Sequence, residues 1–442
     1  MGEGILTAAR RLGDSPARRE LFADAGLAYD GKSLALGAVR LSDIAERIGT
    51  PVYVYSAEVI RRQYRRLDAA LDGLPHRICF AVKANSNLAV LRLFRDLGAG
   101  ADIVSGGELE RALAAGFPAA RIVFSGVGKS RSELEAAVRA GVGHIHLESA
   151  DELASLAGIV SGLPRPVAVG IRVNPDVTAE THPYIATGQG GIKFGVPFDQ
   201  VVDLATLVHR NGHFRLDSIA MHIGSQILDP APYREGMAKL IELVGRIRAA
   251  GIDTLANLDL GGGLGIRYRD ETPLEPERFV ATILPLARET GLCIVVEPGR
   301  FLVGSSGLLL TTVLSRKHTG GKDLVLVDAG MNDLVRPSHY QAYHEIAELE
   351  AGCRPEALVD VVGPVCETGD FLARDRRLPG LAAGERLAVL GAGAYGFVMS
   401  STYNARPRAA EVLVDAGRWA VVRSRERVED LFAGETAEPQ WK

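Results

Sequence analysis

Eight short β-type runs, separated by helix-type stretches, constrain this chain more than any single motif. The runs are ICFAVK (78–83), ADIVS (101–105), RIVFS (121–125), HIHLE (144–148), VAVGIRV (167–173), SIAMHI (218–223), NLDL (257–260) and CIVVE (293–297). Each is rich in Val, Ile or Leu and ends near Gly, Ser, Asn or Pro. Between them, NLAVLRLFRDLG (87–98), GELERALAAG (107–116) and SRSELEAAVRAG (130–141) carry helical signals, the last opening on Ser and closing on Gly. Near-continuous apolar strands joined by helices indicate parallel strands buried on both faces. Eight such units in roughly 250 residues predict a (β/α)8 barrel, with an open doubly wound sheet as the alternative.

The 442 residues exceed what one ordinary domain needs. After about residue 305 the texture changes to strand-like runs with few helices: GLLLTTVLSRK (307–317), DLVLVDAG (323–330), ALVDVVGPV (357–365), ERLAVLGAGAY (385–395) and WAVVRSR (419–425). This predicts a second, mostly β domain over 307–442. LAYDGKSLALGAVR (27–40) reads as a hairpin with DG at its turn. A lone hairpin is barely stable, so residues 27–48 are expected to join the β domain. That leaves 1–26 as a flexible leader and 49–306 as the barrel.

A net charge of −4 and a pI near 6.2 offer no basic field for nucleic acid or an anionic membrane. No apolar run approaches the roughly 20 residues that span a bilayer, and the N-terminal stretch is too polar for a secretory signal. Four scattered cysteines without a CxxC pair argue against a zinc ribbon or disulfide framework and fit a reducing cytoplasm. The partner expected on these grounds is a small molecule.

Barrel active sites lie where strands end at their C-termini. Lys83 stands there, either as a Schiff-base amine of lowered pKa or as a rim lysine with a buried stem. GGGLG (261–265) follows strand seven, where phosphate sites recur, or is simply a tight turn. Glu297 can pair with a protonated cofactor ring nitrogen or with Arg300, three residues on. His222 can stack on a ring, act in acid–base chemistry or be structural. His144 and His146 share one strand face, but no convincing further ligands accompany them, so no metal is expected. GAGAYG (391–396) fits GxGxxG formally, yet no helix pattern follows it, so a strand-end turn is the better reading.

Together the strings FAVKAN (80–85), DIVSGGEL (102–109), RVNPDV…THPYIATG…KFG (172–195), HIGSQ (222–226), LDLGGGLGI (258–266), EPGR (297–300), VDAGMNDLVRPSHY (327–340), GPVCETGD (363–370) and AGAYGFVMSSTYN (392–404) resemble the fold-type III pyridoxal-phosphate-dependent decarboxylases. FAVKAN and EPGR are shared with ornithine and arginine decarboxylases, while THPYIATG, MNDLVRP and AYGFVMSSTYN are specific to the diaminopimelate decarboxylase branch. Thr368 stands where Ser is usual.

The resemblance implies an alanine-racemase-like pairing of barrel and β domain, pyridoxal 5′-phosphate as cofactor, and conversion of meso-diaminopimelate to lysine at the end of lysine biosynthesis. It implies that Lys83 forms the Schiff base, His222 stacks on the pyridine ring and Glu297 holds its nitrogen. Asp102, Ser225, Gly261, Gly262, Gly263, Gly299, Arg300 and Tyr395 are implied around the cofactor and substrate. Arg300, Arg336 and Tyr340 are implied to hold the distal carboxylate and Glu367 the distal ammonium, with Tyr395 also facing the substrate. Cys366 resembles the residue that returns the proton. In the family Cys366 and Glu367 come from the partner subunit, so a homodimer with shared sites is implied.

Overall fold

The computed structural model describes residues 15–178, 188 and 191–441. THPYIATG lies outside the described residues except for Gly188. The described chain divides into two compact units. One is the barrel, Arg61–Ile266 with Glu271–Val303; the other comprises the residues up to Ile60, Arg267–Asp270 and the chain from Gly304.

The barrel strands are β1 (His76–Ala81), β2 (Gly100–Ile103), β3 (Ile122–Phe124), β4 (His144–Leu147), β5 (Val167–Asn174), β6 (Phe214–Met221), β7 (Asn257–Asp259) and β8 (Cys293–Val296). Every neighbouring pair is parallel, and β8 returns to β1 with Val295 opposite Arg77, which closes the ring. The doubly wound alternative is thereby excluded. The connecting helices begin where their sequences say they should. Asn87, Ser105, Ser130 and Ser149 each accept a backbone N–H with the side chain, and Gly141 ends its helix at φ +74°. Helix Leu88–Asp96 buries Val90, Leu91 and Phe94, and Phe94 stacks on Phe80 of β1 at 4.0 Å. Burying each of these side chains stabilises by about 1.5–3 kcal/mol.

In the β unit, Gly307–Thr319 is the central strand. It pairs with Lys322–Val327, with Arg386–Val389 and with Val52–Ser56. Beyond Val52–Ser56 lie Ala410–Asp415 and Arg418–Arg423. Beyond Lys322–Val327 lie Glu356–Val362 and Phe371–Pro379. The Leu27–Asp30 and Ser33–Leu36 hairpin forms as expected, with Val39–Arg40 added to it. Its Leu27, Leu34 and Leu36 share one core with Val52, Val54, Leu308, Leu310 and Val412.

Two expected boundaries are corrected. Residues 49–60 were expected in the barrel, but VYVYS (52–56) is a β-unit strand. It is buried along its whole length, so it lacks the alternation that marks a half-exposed strand. The second correction concerns the described part of the expected flexible leader, from Ser15 on. Pro16–Ala25 is a helix, capped by Ser15 and ended by Gly26 at φ +70°, and Arg18 pairs with Glu345 at 3.1 Å.

Candidate active site

Lys83 lies on the short 3-10 turn Val82–Ala84 just past the end of β1. Its ammonium donates to Asp102 Oδ2 at 2.9 Å. Asp102, on β2, is fully buried, while the Lys83 side chain keeps 34% of its surface in solvent. The lysine is therefore held by a buried charge yet reachable at the barrel mouth, unlike a rim lysine that serves only to cover the barrel.

His222 follows β6 and accepts the Gly262 N–H at Nδ1, 3.2 Å away, which leaves the ring proton on Nε2. Burial, then the charges of Lys83 and Arg172, push its pKa well below the usual range. The imidazole is therefore neutral at neutral pH.

Glu297 follows β8 and accepts from Ser125 Oγ at 3.2 Å. Beside it, Asp259 ends β7, and a carboxyl oxygen of each lies within 4.8 Å of the other. Burial first, then the neighbouring carboxylates Asp102 and Asp259, push Glu297 well above the ordinary carboxylate range. Asp259 is raised to about 6, chiefly by burial. Two buried carboxyls in contact cannot both ionise, so they share a proton. Ser125 Oγ also lies 3.3 Å from His146 Nδ1, and His146 Nε2 lies 4.0 Å from Asp259 Oδ2. The ligand atoms of His146, Asp259 and Glu297 all fall within 4.8 Å of one another. His144 instead faces Asp217 at 3.1 Å and Arg77 at 3.2 Å, so the HxH pair does not converge on one point.

The glycine loop (261–265) follows β7, and two of its amides already have partners within the barrel. Gly261 N–H donates to Asp259 Oδ1 at 2.8 Å and Gly262 N–H to His222, so both amides are engaged within the fold. These glycines instead permit close approach. A Cβ at Gly262 would sit 2.4 Å from the Glu297 carbonyl oxygen, and one at Gly263, where φ is +116°, 2.6 Å from the Tyr233 hydroxyl. Buried Arg300 donates to Ser225 Oγ through Nε at 3.3 Å and Nη2 at 3.0 Å. The Gly299 carbonyl accepts Leu302 N–H at 3.1 Å, at the start of the turn that carries Arg300.

In the β unit, Arg336 opens helix Arg336–Tyr340 and is buried. Its Nε donates to His344 Nε2 at 3.3 Å, and the other His344 nitrogen reaches the Leu390 carbonyl at 2.8 Å. The guanidinium lies 5.1 Å from the Tyr268 ring centroid and 5.9 Å from that of Tyr340. Cys366 and Glu367 are exposed. Cys366 N–H donates to Asn404 Oδ1 at 2.7 Å, and the nearby Glu367 carboxylate pushes the Tyr403 phenol up from its ordinary pKa. Tyr395 sits in the left-handed region at φ +56° within the expected turn.

The structure thus brings Lys83, Asp102, His222, Ser225, Gly261, Gly262, Gly263, Glu297, Gly299 and Arg300 to the C-terminal ends of the barrel strands and the loops after them. Arg336, Tyr340, Cys366, Glu367 and Tyr395 belong to the β unit. Sequence reasoning missed Asp259, Ser125, His344 and Tyr268. Asp259 carried a usable signal, a carboxylate at an apolar strand end. Tyr268 carried none, because its segment lies between barrel elements in the chain yet belongs to the β unit.

The barrel residues fit pyridoxal phosphate. Lys83 offers an amine, the Glu297–Asp259 pair offers a partner for a ring nitrogen, and Arg300 offers a cation for phosphate. Asp102 Oδ1 and Asp259 Oδ2 are buried without a hydrogen-bond donor, as sites built to face a cation are. Residues 57–304 match the family model described as pyridoxal-dependent decarboxylase, pyridoxal binding domain. The chain is 49% identical to the diaminopimelate decarboxylase of Pseudomonas aeruginosa over 93% of its own length and 99% of that protein's. The crystal structure of diaminopimelate decarboxylase from Helicobacter pylori complexed with L-lysine is 39% identical, with a TM-score of 0.86 over 89% of this chain and 98% of that one. The M. jannaschii enzyme in co-complex with L-lysine is 33% identical, with a TM-score of 0.89 over 93% and 98%. With 33–49% identity to these enzymes over nearly its full length and a barrel mouth that suits their cofactor, the chain belongs to the diaminopimelate decarboxylase family of pyridoxal-dependent decarboxylases.

Proposed function

We propose that this chain removes one carboxyl group from meso-2,6-diaminopimelate to give L-lysine and CO2, the last step of lysine biosynthesis, as a cytoplasmic homodimer with shared active sites. Pyridoxal 5′-phosphate supplies the electron sink that takes up the pair left behind when CO2 departs. The chain supplies everything else. Lys83 binds the cofactor, with Asp102 holding its ammonium until then. The Glu297–Asp259 pair holds a proton where the ring nitrogen binds. Neutral His222 packs on the ring. Ser225, Gly263, Gly299, Arg300 and Tyr395 hold the phosphate and substrate side, and Gly261 and Gly262 let the strands approach closely enough to shape the floor.

Diaminopimelate carries an amino-acid group at each end, so its distal end needs a cation and an anion. Arg336, with Arg300 and Tyr340, takes the distal carboxylate, and Glu367 takes the distal ammonium. Cys366 donates the proton that the α-carbon receives. The observation that carries the substrate assignment is Arg336: a buried guanidinium aligned by His344, Tyr268 and Tyr340. Diamine substrates have no distal carboxylate for it to grip. The L-lysine complexes of the H. pylori and M. jannaschii relatives support this reading. The exposure of Cys366 and Glu367 in the single chain supports their service to a second subunit. Free thiols at Cys79, Cys293, Cys353 and Cys366 support a reducing compartment, and among the described residues no helix is long and apolar enough to cross a membrane.

The test is formation of lysine and CO2 with pyridoxal phosphate present, comparing meso-diaminopimelate with L,L-diaminopimelate, ornithine and arginine. Stoichiometric lysine from the meso isomer alone is the expected result. CO2 from ornithine or arginine without turnover of diaminopimelate would move the chain to a sister branch.

A further inference from the structure

Two turns of the β unit carry groups assigned to the reaction, a single buried carboxylate knits them together, and a third turn beside them is tied to both. Asp370, the last residue of CETGD, is 4% exposed. Its Oδ2 accepts Val365 N–H at 2.6 Å, next to Cys366. Its Oδ1 accepts Met331 N–H at 2.6 Å, at the head of the turn that leads into the Arg336 helix. Its own N–H closes the thiol turn on the Glu367 carbonyl at 3.1 Å. The backbone is cut to fit this carboxylate. A Cβ at Gly330 would meet Oδ1 at 3.0 Å, and one at Gly363 would meet Oδ2 at 2.5 Å and Gly330 Cα at 2.5 Å. The third turn, SSTYN, is tied to the other two: Asn404 Oδ1 accepts Cys366 N–H at 2.7 Å, and Ser401 N–H donates to the Asn332 carbonyl at 2.9 Å. Asn404 holds this position at φ +56°, which its short polar side chain tolerates.

We propose that Asp370 is a positioning residue, a clasp that makes the Cys366–Glu367 turn and the Arg336 helix move as one body. The proposal rests on the shared-site reading above. In such a dimer Arg336 grips substrate in its own chain's site while Cys366 serves the partner's, so the clasp links the grip of one site to the acid of the other. A carboxylate accepting two N–H groups has no equal in an amide, which offers one acceptor oxygen and a repelling NH2. Asp370→Asn therefore loosens both turns of the chain that carries it.

Mixed dimers separate the two effects. Lys83→Ala chains combined with Cys366→Ala chains are assayed first; recovered turnover establishes the shared site. Dimers are then built with one Lys83→Ala chain, so that one site alone works. With Asp370→Asn on the Lys83-bearing chain, KM for diaminopimelate rises about tenfold or more and kcat stays within about twofold. With Asp370→Asn on the Lys83→Ala chain, kcat falls about tenfold or more and KM stays within about twofold. Cofactor absorbance is unchanged in both. Unchanged constants in both arrangements, or the same mixed change in both, overturn the clasp. If the first mixture recovers nothing, the shared-site reading fails separately, and homogeneous Asp370→Asn enzyme decides: KM and kcat worsening together with intact cofactor absorbance uphold a link within one site, and no change overturns it. Should Asp370→Asn lose its near-ultraviolet dichroism, Asn404→Ala replaces it. Its effect falls on kcat when it sits on the Lys83→Ala chain, and an unchanged kcat there overturns the proposal.

Discussion

In the barrel, Asp102, Asp259 and Glu297 are buried, and their charges are set against one another inside a single chain. In the β unit, Cys366 and Glu367 stand in solvent, although the turn that bears them is anchored by buried Asp370. The barrel groups obtain their electrostatic environment from their own fold, since burial and neighbouring charge act before any ligand arrives. The β-unit groups have fixed backbones and open side chains, so whatever excludes water from them must be added to the chain. The barrel end is preorganised within the chain, and on the proposed shared-site reading the Cys366–Glu367 turn waits for a second subunit.

The largest expected effect belongs to the preorganised end. Lys83→Ala should lower turnover on the order of 10⁴-fold or more and abolish the cofactor's protein-bound absorbance, because the covalent anchor is gone. A variant that kept both would dissolve the distinction between the two regions. Cys366→Ala should cost about 10²–10⁴-fold in kcat, the range for a lost general acid, and leave the absorbance spectrum unaltered. A spectral change on that substitution would mean that the thiol acts on the cofactor itself. Next comes Arg336→Ala. Loss of a buried grip on a carboxylate costs about 2–4 kcal/mol, or on the order of 30- to 10³-fold in kcat/KM for diaminopimelate. Cofactor affinity should stay the same, and an unchanged rate would sink the substrate assignment.

The smallest effect concerns stability. Asp333, in the MNDLVRP turn, is pushed up to about 7 by burial. A carboxyl raised in the folded state keeps its proton after the unfolded chain has lost it near pH 4. Stability therefore declines as pH rises from about 4 to about 7, and stays lower above that. Asp333→Asn keeps an acceptor for Gly330 N–H, 3.0 Å away, and removes the ionisation. Its melting temperature should match the parent below about pH 4 and exceed it by about 2–4 °C at pH 8 for a gain of about 1 kcal/mol. A lower melting temperature at pH 8 would show that the ionised carboxylate is favoured after all.

Much of this was legible in the sequence because it is local. The eight barrel strands needed only apolar runs between capped helices, and Lys83, His222 and Glu297 declared themselves as polar residues at apolar strand ends. The DG turn and the change of texture near 305 marked the second unit for the same reason. Tertiary structure decided what depends on residues far apart in the chain. VYVYS could not announce that it pairs with Gly307–Leu310 and Ala410–Val414, since a strand buried on both faces carries no alternation. The engagement of the Gly261 and Gly262 amides by Asp259 and His222 follows from where β6 and β7 lie in the barrel, not from the glycines. The carboxyl pair of Asp259 and Glu297, the support of Arg336 by His344 and Tyr268, and the Asp370 clasp between turns more than 30 residues apart are likewise contacts that only folding creates. The sequence determined which groups are present and at which ends of which elements. The fold determined their charges and partners, because desolvation and proximity are properties of the packed chain.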